Sequence, residues 1–265
     1  MGERMKVTDF DSFLQNLGIP KACELNKPIY KKMILDNGIL NATDKICLKD
    51  DIEKIRWLYT LKPSTINIAT YYDKEHEYPE LAVLQIKLSS PNRFKRIAHF
   101  INRSIPYPLI LMFTCEFEGK ANLSISLADK RINQADKEKW VIEDSIHTDW
   151  ISISDKNEAE SQFLDSLAIN NLSFKNFFLF YKTLTDRVIA INCASYNGEF
   201  TIEDTKKTGN GEDRLKSLRD IEKFDTQKSE LTNKLKKEKQ MGRQVELNTR
   251  IKQINDKIAL IKGSL

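Results

Sequence analysis

Few residues in this chain have types and spacing suited to chemistry. The stretch LQIKL places Gln85 and Lys87 two apart, on one face of any extended segment. An (Asp/Glu)-x-Lys pair beside a further carboxylate is the donor set of a metal-dependent nuclease. Glu80 or Asp73 would supply that carboxylate. Gln is a poorer variant of the pair, and a lysine on the wet face of a strand needs no special explanation. The stretch HTDW sets His147 two residues from Asp149, an acid–base pair if extended. No motif ties a Ser or Cys nucleophile to them, and a turn with Trp150 packed beneath is the plainer reading. His76, His99 and His147 lack metal-ligand spacing, and no Walker loop, G-x-G-x-x-G or H-E-x-x-H occurs. No metal and no cofactor is expected. No catalytic residue is assigned, and Asp73, Glu80, Gln85 and Lys87 stand as the set for the nuclease alternative.

Two basic stretches could meet phosphate. One is KKEK with the following arginine: Lys236, Lys237, Lys239 and Arg243. The other is NKPIYKK, with Lys27, Lys31 and Lys32. A solvated face is the bland reading of each. Residues 212–265 carry 14 Lys/Arg against 9 Asp/Glu, a net of +5 in a chain whose total is +4, so the positive excess lies in the tail.

These residues must be positioned by a recognisable series of elements. Phe10, Phe13, Leu14 and Leu17 share a helical face that Thr8 caps and Gly18 with Pro20 ends. ELNKPIYKKMILDNG has no clear period. KDDIEKIRWLYTLKP reads as a helix, with Asp50 and Glu53 at capping-box spacing and Ile52, Ile55 and Tyr59 on one face. STINIATYY and LAVLQIKL read as strands joined by the polar DKEHEYPE. Ser90 caps a helix, Pro91 takes its first position, and Phe94, Ile97, Ala98 and Ile101 form its buried stripe. Ile105-Pro106 ends that helix and Pro108 leads into LILMF, apolar on both faces and so a central strand. Tyr107 between the prolines is read as a packing residue. KANLSISLA alternates as a strand with one wet face. KEKWVIEDSIHTDWISI is extended, and two helices follow.

The tail repeats Leu247, Ile251, Ile254, Ile258, Ile261 and Leu265 at intervals of four and three, an a/d seam. Ile221, Phe224, Leu231 and Leu235 form a second seam, with Lys228 at one core position. The two are out of phase across KKEKQMGRQ, which predicts an antiparallel hairpin rather than a rod. The expected fold is α+β: a mixed β-sheet covered by helices over residues 1–205, a linker at 206–211, and a basic coiled-coil hairpin at 212–265. The seam residues Leu247, Ile251, Ile254, Ile258 and Ile261 are the candidate partner-binding set. Cys23, Cys47, Cys115 and Cys193 form no C-x-x-C pair and read as reduced thiols of a cytoplasmic protein. No stretch is long and apolar enough to span a membrane.

NKPIYKK resembles an N-K-x-I-P-K-K element, with Tyr30 where the family's proline is expected. EKIRWLYTLKPSTINI resembles E-K-I-x-W-x-Y-x-L-x-x-x-T-I-N-I. IPYP before an apolar strand, a later Thr-Asp-Trp and KKEKQMGRQVELN follow in the same order. This ordered set is similar to the prokaryotic domain-of-unknown-function 4391 family, from about Asn26 to the C-terminus. The resemblance carries no established activity. It implies a setting beside helicases and DNA methyltransferases of restriction and phage-defence type. The expected function is therefore a non-enzymatic adaptor docking on such a helicase or methyltransferase, or on its own copy. The alternative is a divergent metal-dependent nuclease, since helix, strand, strand, helix, strand also suits a restriction-endonuclease-like core.

Overall fold

The computed structural model describes residues 9–132, 140–202 and 210–265. The chain forms two compact units, Met1–Val188 and Ile189–Leu265. Most of the linker expected at 206–211, and the Thr8 cap, lie outside the described residues.

The first unit is built on one mixed sheet. Its strands are β1 (Glu24–Ile29), β2 (Ile52–Leu61), β5 (Leu81–Leu88), β6 (Leu109–Phe117), β7 (Lys120–Ile132) and β8 (Trp140–His147), side by side in that order. A short β9 (Ile151–Ser152) also pairs with β7. Every neighbouring pair is antiparallel except β5 and β6. Parallel strands cannot be joined by a tight turn, and α5 (Phe94–Ser104) makes the crossover. β6 and β7 are joined by Glu118 and Gly119 at φ 53° and 71°, a two-residue hairpin that needs positive φ at both positions.

Both faces of the sheet are covered. On one, Leu84 and Ile86 of β5 and Leu111 and Phe113 of β6 pack with Ile97 and Ile101 of α5. Ile34 of α2 (Lys31–Asn37) and Leu48 join this core. On the other, Val83, Ile110, Met112, Ile125 and Leu127 face Leu17, which follows α1 (Asp9–Asn16), and Leu184 and Val188 of α7 (Phe177–Asn197). Leu167, just past α6 (Glu158–Ser166), lies there too. The gap among them is about 30 Å³ and apolar. It exceeds a single probe sphere of roughly 10–15 Å³ by too little to house a ligand. LILMF is thus a central strand, and burying each such Leu, Ile or Phe contributes about 1.5–3 kcal/mol.

Several local expectations are corrected. EKIRWLYTL is a strand, not a helix. Ile52, Ile55, Leu58 and Leu61 are buried at every third position, which imitates a helical face. The cause is two β-bulges, one between Ile52 and Lys54 and one between Trp57 and Tyr59. Each adds a residue and shifts the inside–outside alternation. Pro63 starts the single-turn helix α4 (Pro63–Ile66) instead of only ending one, and Asn67 closes it at φ 54°. STINIATYY consequently pairs only at β3 (Tyr71–Tyr72), against β4 (Glu77–Tyr78). The helix after β5 begins at Phe94, preceded by Arg93 in the left-handed region, not at Pro91.

KANLSISLA has no wet face: Ser124 and Ser126 are fully buried. Ser124 Oγ donates to the Thr148 carbonyl at 2.9 Å. Phe94, Trp150 and Phe117 form an edge-to-face aromatic cluster. The unperiodic segment holds β1 and α2, and α3 (Ala42–Ile46) follows it, opened by an Asn41–Asp44 capping box.

In the second unit, α8 (Asn210–Lys237) and α9 (Met241–Lys262) run antiparallel. Arg214 donates to an oxygen of Leu265 at 3.3 Å, and Lys257 lies 5.5 Å from the Phe224 ring centroid. The fold class is α+β with a C-terminal helical pair.

Because Ile110 sits between two occupied layers, Ile110→Asp would bury a charge without a partner, at a cost of several kcal/mol. Soluble, cooperatively melting protein should be lost. A normal thermal transition in that variant would contradict the central placement of β6.

Candidate functional site

The structure does not bring the four residues of the nuclease alternative together. Glu80 precedes β5 and Lys87 lies near its far end, so roughly 20 Å of extended strand separates them at about 3.3 Å per residue. Glu80 pairs with Lys62 at 3.4 Å. Asp73 closes the β3–β4 hairpin. It accepts from the N–H groups of Glu75 and His76 at 2.7 Å and from the Tyr71 hydroxyl at 2.8 Å, with the His76 ring at 3.2 Å. Burial raises its carboxyl, but these donors together hold it well below the usual carboxylate range. Lys87 instead meets Glu53 at 3.2 Å and Glu116 at 3.7 Å. Glu53 is the extra residue of the first bulge, which is how it reaches this position. Among the described residues, no group of three or more His, Cys, Asp or Glu is placed to hold a metal ion.

Gln85 has a different use. β2 and β5 pair with Arg56 opposite Gln85 and Lys54 opposite Lys87. Arg56 donates to Gln85 Oε1 at 3.4 Å and, through its other terminal nitrogen, to Asn26 Oδ1 on β1. Gln85 Nε2 donates to Thr114 Oγ1 on β6 at 3.2 Å. Four strands thus contribute to one polar ladder, Asn26–Arg56–Gln85–Thr114. It shares a face with Val83 and Met112 but lies beyond their helical cover, so Arg56, Gln85 and Thr114 are half-buried and Lys54 is exposed. Asn26 stands at φ 47°, in the β1 bulge between Glu24 and Lys27.

Of the other basic residues, Lys31 is spent on the Lys49 carbonyl at 2.8 Å, while Lys27 and Lys32 are exposed. Lys236, Lys237, Lys239 and Arg243 are all exposed around the turn between α8 and α9. Glu238 orders that turn: it accepts from the N–H groups of Gln240 and Lys239 at 2.9 Å, which hold its carboxyl below the usual range. Met241 and Val245 stand exposed among these cations, at 81% and 61%. The seam is the opposite case. Leu247, Ile251, Ile254, Ile258 and Ile261 are the half-buried or buried apolar residues of α9, and Ile221, Phe224, Leu231 and Leu235 are their counterparts on α8.

The family model described as Domain of unknown function (DUF4391) matches residues 17–258. The chain belongs to that family. No curated protein and no solved structure gives a significant match. The elements shared with DUF4391 now have places. NKPIYKK spans β1 and the start of α2, EKIRWLYTL is β2, IPYP leads from α5 to β6, and KKEKQMGRQ is the tip of the helical pair.

Two further clusters in this DUF4391 chain are titratable. His76 lies between Asp73 and Asp129, with Nε2 3.7 Å from Asp129 Oδ1, and its ring packs 5.3 Å from Phe178. Burial raises the Asp129 carboxyl. The Ile132 N–H donates to the Glu75 carbonyl at 2.8 Å. This cluster therefore fastens the β3–β4 hairpin to β7. His147 packs edge-on against Phe94 at 5.7 Å and Asp149 is exposed, as the turn reading has it.

Lys130 was not legible as a special residue. It is 1% exposed and donates to the carbonyls of Ile105 and Tyr107 at 2.7 and 2.6 Å. Both carbonyls precede prolines, in a loop short of N–H donors, and the lysine supplies donors from β7. Burial pushes its ammonium down to about 7, against the pull of these acceptors. The unfolded chain then binds more protons than the folded one between about 7 and 10.5, so stability rises with pH across that window and is flat below it. Urea midpoints should rise from neutral to mildly alkaline pH, and Lys130→Met should flatten the rise. An unchanged slope in the variant would assign the titration elsewhere.

Proposed function

We propose that the protein is a non-enzymatic accessory component of a DNA-processing or phage-defence system, and that it docks through the tip of its helical hairpin on a protein partner, a helicase or DNA methyltransferase. One observation carries this reading. The apolar seam residues of α8 and α9 are half-buried or buried, whereas the tip presents four exposed cations around exposed Met241 and Val245. A phosphate surface would use the cations alone. The two apolar side chains fit a protein surface that is acidic with an apolar recess, where a buried apolar anchor inside a charged rim gives affinity and orientation. The setting implied by the family resemblance points the same way.

The test is co-purification of the full chain with the proteins encoded beside it, in which a helicase or a DNA methyltransferase should be captured. Reversing Lys236, Lys237, Lys239 and Arg243 to Glu, or changing Met241→Asp, should weaken capture by about tenfold or more. Helicity should be unchanged, because all five side chains are exposed. Ile254→Asp should instead lower helicity, because it disrupts the seam. Tip variants that co-purify like the unaltered chain would contradict docking by the tip. Self-association lost only on seam disruption would assign the hairpin to a second copy of this chain.

A further inference from the structure

We propose that the open end of the sheet face carrying Arg56 binds the phosphodiester backbone of a nucleic acid, with Arg56 and Lys54 as its contacts. This site lies within the first unit and does not depend on the helical hairpin.

The argument begins with how Arg56 is held. Arg93 and Arg96 are each held by a carboxylate. For Arg56 the matching acceptors are the amide oxygens of Asn26 and Gln85, which fix its plane without neutralising it. Gln85 is in turn oriented by Thr114. Among the described residues no carboxylate lies within ion-pair distance of Arg56 or of Lys54. The carboxylates at this end of the sheet, Glu53 and Glu116, are both engaged by Lys87. Lys87 offsets one of those two negative charges, and the remaining one faces two cations, Lys54 and Arg56, which lie on one strand, two residues and about 7 Å apart. A planar guanidinium fork held in advance is suited to paired oxygens of phosphate. A second cation further along the strand suits a ligand whose charge repeats.

Asn26 supports the same reading. Asparagine adopts the left-handed region more readily than other side-chain-bearing residues, and at φ 47° Asn26 does so here. The bulge that holds it aims its amide at Arg56. A peptide ligand is disfavoured on the adjacent edge. β1 carries that bulge, Lys27 and Pro28, features that prevent strand addition.

The test uses the full chain and fluorescence anisotropy with a labelled DNA duplex, the single strand and an RNA of the same length, with polyglutamate as the acidic-polymer control. Binding to at least one nucleic acid should fall steeply with salt. Arg56→Gln should weaken it by about tenfold and lower the slope of log K against log salt by about 1. Lys54→Gln should act similarly. The decisive variant is Gln85→Glu. It keeps the shape and the acceptor but gives Arg56 a counter-charge. A ladder with only a structural role would be strengthened, with no effect on binding. A phosphate site should lose about tenfold in affinity while the melting temperature stays level or rises. The proposal is overturned if no nucleic acid binds at low ionic strength, if Gln85→Glu binds like the unaltered chain, or if polyglutamate competes as well as nucleic acid. Loss of binding only in the hairpin-tip charge variant would also overturn it. Docking of the tip on a protein is judged separately, by co-purification.

Discussion

Burial of β5 and β6 on both faces is the constraint from which the rest of the first unit follows. Two parallel strands with no exposed face cannot carry functional polar groups in their middle, because each would need a partner in the core. Polar residues of the sheet are therefore driven to the strand ends. At one end, the β3–β4 hairpin and the Asp73–His76–Asp129 cluster close over β7. At the other, helical cover stops after Met112, and Arg56, Gln85, Lys87 and Thr114 come to the surface.

The charged groups that remain inside are matched by acceptors or by ion pairs. Lys130 satisfies two proline-preceding carbonyls. Arg187 donates to the carbonyls of Ser166 and Asn171 at 2.9 and 2.5 Å, closing the end of α6. Asp51 and Asp44 pair with Arg93 and Arg96 at 2.5 and 2.7 Å, which tie the segment before β2 to α5. These contacts hold the fold and leave little freedom for chemistry. Arg56 differs from them: it is half-buried rather than enclosed, and its partners are neutral amides, so its charge remains available to a ligand.

Elements with an undisturbed period were legible in the sequence. The stripe of α1, the β5 strand, the α5 face, the double-proline approach to β6 and the paired tail seams all follow from spacing alone. β2 was not legible, because its two bulges turn a period of two into an apparent period of three. That error propagated to the site. With EKIRWL read as a helix, Arg56 could not be seen opposite Gln85, nor Glu53 beside Lys87, and Gln85 looked like a poor stand-in for a metal-site carboxylate rather than a neutral holder. β1 was missed because it is short, exposed and carries Pro28, so it has no apolar alternation to detect. The buried serines of β7 looked solvent-facing because their size and polarity imitate a wet strand face, although Ser124 is enclosed with Thr148. Lys130 looked like a surface residue because nothing local announces that two distant carbonyls need its donors.

The most direct measurement of the central claim is amide hydrogen exchange on the full chain, with and without saturating nucleic acid. A ligand on the Arg56 ladder should slow exchange in residues 24–29, 52–57 and 84–88, three segments distant in sequence and adjacent only in this sheet. Exchange at the opposite sheet edge, 140–152, should be unchanged. Protection confined to residues 236–245, or absent from all three strands, would contradict a nucleic-acid face on the sheet.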